Sequence, residues 1–193
     1  MTARGPQWRV LPVALVLWGT VLGAAGPGTG PGEGTRADEY RVKAAFLFNF
    51  AKFIEWPSSS FSGTTTPLQV CVLGVDPFGS TLDDTLRGRA VAGRPIQVRR
   101  MTEPDRSCHL LFISTSERKR LPLITEQLRG ASILTVGEDD GFIAAGGMIE
   151  LISDGDNVQF NVSPLAAERA GLHVSARLVS LAANQRHASG GRR

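Results

Sequence analysis

The sequence predicts an α/β fold: a mostly parallel sheet with helices on both faces and a C-terminal antiparallel hairpin. Three observations carry this. Leu68–Leu73 (LQVCVL), Cys108–Ser114 (CHLLFIS) and Ser132–Val136 (SILTV) are short apolar runs rich in branched residues. Segments with helical start and stop signals alternate with them, which argues for crossover connections. Beyond residue 147 the pattern changes to Met148–Ser153 and Asn157–Val162, joined by Asp154-Gly155-Asp156. That spacing predicts a hairpin.

The elements follow in order. Arg4 and Arg9 precede an apolar run, Val10–Leu22, and the small residues Gly23-Ala24-Ala25. This predicts a signal peptide over 1–25, cleaved after Ala25, and an exported, periplasmic protein. Residues 26–37 (GPGTGPGEGTRA) predict a flexible leader. A single domain is expected over 38–183, followed by a disordered polar tail over 184–193. Removing Arg4 and Arg9 from the 21 basic residues leaves 19 against 18 acidic ones. No basic stripe stands out, which speaks against a nucleic-acid partner.

Tyr40–Pro57 (YRVKAAFLFNFAKFIEWP) predicts a helix capped by Asp38 and stopped at Pro57. Val42, Phe46, Phe50 and Phe53 recur at helical spacing. Phe46, Phe50 and Phe53 are therefore expected in the core. Phe48, Trp56 and Phe61 are the expected partner or dimer surface. Ser58–Pro67 is a polar loop that Phe61 could anchor.

Leu68–Leu73 leads into Gly74–Gly79 (GVDPFG), where Asp76 is the expected N-cap of a helix over Phe78–Leu86. The turn lacks the spacing of a phosphate-binding loop. Ile96–Arg100 alternates as a half-covered strand. Leu121–Leu128 predicts a helix with Pro122 in its first turn, and Asp139–Ala145 a short helix or turn. Ser163 with Pro164 starts the next helix, Gly171 interrupts it, and Ser175–Ala183 is a last amphipathic segment.

Cys71 and Cys108 are the two cysteines. In an oxidising compartment an even pair suggests a disulfide, and two buried free thiols are the alternative. His109 adjoins Cys108, but strand neighbours point to opposite faces, so the two form no local dyad.

The residues nominate no catalytic constellation, metal site or cofactor: HExxH, GxSxG and CxxC are all missing. A small molecule would by default sit at the C-terminal ends of the parallel strands, near Gly74–Phe78 and Ser114–Ser116. Arg94, Arg169, His173 and Arg177 are the cations that could meet an anion there.

Several ordered motifs carry a family resemblance. They are Glu39–Phe50 with Phe53–Pro57; Cys71–Gly74 with Asp76–Gly79; Cys108–Ser114; and Gly147–Ile149 with Asn161 and Ala170–Ser175. Over about residues 39–182 the chain resembles the YfiR-like family of periplasmic regulatory proteins. The resemblance implies a non-catalytic homodimer that represses an inner-membrane diguanylate cyclase by binding its periplasmic region, restraining cyclic-di-GMP synthesis. It also implies a disulfide between Cys71 and Cys108 whose redox state bears on stability and release. Some relatives carry a second cysteine pair, which this chain lacks. The alternative is a small-ligand binding module of a different signalling system.

Overall fold

The computed structural model describes the backbone of residues 31–190 except Asp156, with side chains from residue 36 to 185. The expected signal peptide and the start of the leader lie outside the described residues.

Five parallel strands form the body of a seven-stranded sheet: β2 (Leu68–Leu73), β4 (Arg94–Met101), β5 (Leu110–Ile113), β6 (Leu134–Gly137) and β7 (Ile149–Asp154). The edges are antiparallel, formed by β3 (Ala90–Val91) on β4 and β8 (Asn157–Val162) on β7. The order is β3-β4-β2-β5-β6-β7-β8. The expected hairpin is thus present, with Ile149 opposite Val162. A two-stranded ladder stands apart, pairing β1 (Ile54–Glu55) with β9 (His173–Val174).

Strand β2 shows why both faces are covered. Val70 and Val72 point into one apolar cluster, and Cys71 and Leu73 into another. Alternate residues of a strand face opposite sides, so a run apolar at every position needs a cover on each. The first cluster is built with α1 (Pro31–Phe53), α2 (Ser80–Leu86), α4 (Pro164–Arg169) and α5 (Ala176–Gly190); the second with α3 (Leu121–Gln127). Cys71 and Cys108 form a disulfide in the second cluster, with Cα atoms 6.0 Å apart.

Local chemistry explains several boundaries. Ser163 Oγ accepts the Ala166 N–H, with Pro164 opening α4 as expected. Pro122 lies in the first turn of α3, after a 3-10 turn over Thr115–Arg120. Phe142 wedges between Gly137 and Gly147, where an added Cβ would meet its ring at 2.3 and 2.1 Å. Only glycine permits that approach.

Four expectations need correction. Asp76 does not cap a helix at Phe78: its Oδ1 accepts the Phe78 N–H in a turn, and α2 begins at Ser80 after Gly79. Asp76 Oδ2 also pairs with Arg100. The first helix starts at Pro31 rather than after Asp38, so residues expected as leader form its opening turns. Once Tyr40–Phe53 is docked, each further residue adds a hydrogen bond without a new nucleation cost. At the other end α5 runs to Gly190, past the expected boundary at Ala183.

The fourth correction concerns the face of α1. The buried stripe is Tyr40, Ala44, Leu47 and Ala51, with Phe50 beside it, and Ile54 of β1 continues it. Of the expected core residues Phe50 is fully buried, but Phe46 and Phe53 are only half-buried, and Val42, at the same helical spacing, is 43% exposed. Both stripes satisfy the helical period. The one containing Ala44 and Ala51, each fully buried, lets the helix backbone approach the sheet closely.

Candidate functional site

Two aromatic regions and one buried ion cluster stand out. The first region lies at the N-terminal ends of the parallel strands. His109, just before β5, is 4% exposed and uses both ring nitrogens. Nδ1 accepts the Gln69 N–H at 3.0 Å, so Nε2 carries the proton and donates to the Ser60 carbonyl at 3.0 Å. Phe61 stacks on the imidazole with centroids 4.4 Å apart. The Arg94 guanidinium covers Phe61 at 3.7 Å and donates to the carbonyls of Gly63 and Thr66. Trp56 Nε1 donates to the His109 carbonyl. The loop over 58–67 is thereby clasped to the strand ends, one residue from the disulfide. Burial pushes the His109 pKa down; the Ser60 hydrogen bond opposes this and the Arg94 charge adds to it.

The second region is a groove of about 490 Å³ between α1 and α5, floored by Phe50 and Phe160. Phe46, Asn49 and Phe53 of α1 form one wall, and Arg177, Leu178 and Leu181 of α5 the other. Phe46 and Phe50 both meet Phe160, at 5.5 and 5.0 Å. Leu181 is 42% exposed; Val42, 43% exposed, is not part of the lining but lies one helical turn before Phe46 on the same face of α1. This wall is the stripe the sequence reading assigned to the core.

The ion cluster holds the front of α1. Lys43, 3% exposed, lies 2.5 Å from Glu138 Oε2 and 2.5 Å from Glu39 Oε1. Tyr40 Oη donates to Glu138 Oε1 at 3.0 Å. Burial works to lower the Lys43 pKa, but the hydrogen bonds to Glu138 and Glu39 outweigh it and the net shift is upward. Burial raises the Glu39 pKa, and the bonds from Lys43 and Ser153 outweigh that to lower it.

The residues nominated from sequence are scattered. Phe48 is half-buried with the Arg89 guanidinium over its ring at 4.6 Å. Trp56 and Phe61, also half-buried, belong to the His109 clasp. Arg94 is there too, at the opposite end of the strands from the expected anion site. Arg169 lines a separate groove of about 360 Å³ with Arg129 and Thr125. His173 is exposed and pairs with Glu55 in the small ladder, while Arg177 lies over Phe53. The four cations do not converge on one ligand position. Where the strands end at Gly74 and Ser114, the crevice is packed: Ser116 Oγ accepts the Val75 N–H, and a Cβ on Gly74 would meet that Oγ at 2.4 Å.

The residues that sequence reasoning missed are Val42, Phe46 and Leu181 as surface. A signal existed: a helix apolar on nearly every side must meet neighbours on more than one.

No helix among the described residues is long and apolar enough to cross a membrane. A comparison with curated proteins returned no match. The profile of the YfiR/HmsC-like family matches residues 40–183, which run from Tyr40, buried within α1, across the whole sheet into α5. The chain therefore belongs to the YfiR/HmsC-like family.

Proposed function

We propose that the protein is exported through the signal segment at 1–25 and binds, as a homodimer, the periplasmic region of an inner-membrane diguanylate cyclase. Binding restrains cyclic-di-GMP synthesis without catalysis by this chain. The observation that carries the reading is the family match over 40–183. The family is one of periplasmic, non-catalytic regulators in cyclic-di-GMP signalling that act on a partner protein. Trp56 and Phe61, expected with Phe48 as the contact surface, are engaged in the His109 clasp, so the groove between α1 and α5 is the contact surface in this reading.

Deletion of the gene is expected to raise cellular cyclic-di-GMP, and the mature protein is expected to retain the cyclase's periplasmic region in a pull-down. Unchanged cyclic-di-GMP together with no retention overturns the reading.

A second reading, a small-ligand module of another signalling system, draws on the groove between α3 and α4. It has an apolar wall with Leu128, Ile133 and Met148, and Arg129 and Arg169 also line it. A carboxylate ligand at 100 times its dissociation constant would add about 2.7 kcal/mol of stability. A thermal-shift screen of amino acids and nucleotides without any hit removes this alternative.

A further inference from the structure

We infer that the groove between α1 and α5 is the docking site for one amphipathic helix of the partner protein, about three turns long, bearing carboxylates beside its apolar face. This rests on the proposed function, and specifies the surface and the chemistry of the contact.

Shape comes first. Val42, Phe46, Asn49 and Phe53 follow one another at the i, i+4, i+7, i+11 positions of α1. The stripe extends about 16 Å, or three helical turns. Its opposite wall is another helix, so the trough between them suits a third helix whose apolar residues recur at the same spacing. The site is concave, which favours a helix over a flat lipid surface.

Exposure is the second argument. Val42 and Leu181 are 43% and 42% exposed, and Phe46 and Phe53 are half-covered. Phe61 differs: it is already sandwiched between His109 and Arg94. Apolar side chains left open along one trough gain most from a partner's apolar face.

Charge selects the occupant. Lys52 and Arg177 line the groove, and no carboxylate does. Among the described residues neither has an ion-pair partner: Lys52 meets the Phe48 ring and Arg177 the Phe53 ring. Arg100, Arg118 and Arg120 are by contrast each held by carboxylates of this chain. Lys52 and Arg177 are therefore available to carboxylates supplied from outside. A second copy of this chain presents cations to cations at this groove, and so fits less well.

The test uses the mature chain and the purified periplasmic region of the inner-membrane diguanylate cyclase. Leu181→Asp and Arg177→Glu change exposed positions, and equal thermal unfolding checks that both variants fold. Leu181→Asp is expected to weaken binding by roughly tenfold or more, as the loss of an apolar anchor does. Arg177→Glu is expected to weaken it severalfold, with the difference shrinking as salt rises. Equal binding by all three proteins overturns the groove assignment and leaves the regulator reading standing. No binding by the unaltered chain overturns both. Loss of self-association in Leu181→Asp, with cyclase binding intact, overturns the inference in favour of a second copy. Loss of binding to anionic vesicles, with cyclase binding intact, overturns it in favour of a membrane surface.

Discussion

The His109 clasp and the α1–α5 groove are both aromatic and cationic, yet the first is closed and the second is open. In the clasp the polar groups that meet the rings are engaged within the chain. Both imidazole nitrogens are bonded, the Trp56 N–H has its carbonyl, and Arg94 meets two carbonyls and a ring. Along the groove, among the described residues, the cations meet only rings, and Leu181 in its wall and Val42 beyond it are open to solvent. A satisfied cluster holds a fold together, and an unsatisfied one has free energy left for a partner. Substitutions in the clasp should therefore lower stability, and substitutions in the groove should lower binding.

The largest expected effect is on the bridge beside the clasp. Cys71 and Cys108 are separated by 37 residues. In the chain-entropy model such a loop contributes about 4 kcal/mol. Replacing both cysteines with serine should lower the melting temperature by roughly 10 °C or more. An unchanged Tm would remove the bridge from the account of stability.

His109→Leu comes next. It leaves the Gln69 N–H and the Ser60 carbonyl without their ring partners, at about 1–3 kcal/mol for each group that stays buried. Denaturant titration should show the loss. The pH dependence sharpens the point. Burial holds the His109 pKa below the ordinary 6.5, so the native state favours the neutral ring. Its contribution is complete above the unfolded value and is lost as pH falls through the lowered native one. Glu39 adds a separate loss at more acidic pH, because its carboxyl lies below the usual 4.5. In His109→Leu the step starting near pH 6.5 should vanish while the more acidic one persists. A step that survives in the variant would assign it to another group.

Gly147→Ala should cost less, about 1–3 kcal/mol, because the new methyl collides with Phe142 and the wedge must shift. A stability change under 0.5 kcal/mol would show that the ring yields freely. The smallest stability effect belongs to Leu181→Asp in the groove. An exposed site away from caps and cores is expected to stay within about 0.5 kcal/mol of the unaltered chain.

Much of the sheet was legible in the sequence because its strands are buried on both faces. LQVCVL has to be a covered strand whatever surrounds it, and its bounds fall at Leu68 and Leu73 as expected. Ser163-Pro164 marked a helix start for an equally local reason. Elements that depend on a distant partner were not legible. The two-residue strands at Ile54 and His173 exist only because they meet each other. Asp76 spends one carboxylate oxygen on the Phe78 N–H and the other on Arg100, which is 24 residues away, a pairing no local pattern announces. The site was harder still. Apolar residues on several faces of α1 left two stripes with the same period, and only docking distinguishes the one bearing Ala44 and Ala51. The stripe not chosen by the sheet became a wall of the groove.

The most direct test is complementation of a deletion strain, with cellular cyclic-di-GMP as the readout. The unaltered chain should return the raised level to that of the parent. Leu181→Asp, present at equal abundance and with an equal Tm, should leave it raised. Full restoration by Leu181→Asp, or a deletion strain whose cyclic-di-GMP never rose, would contradict the account.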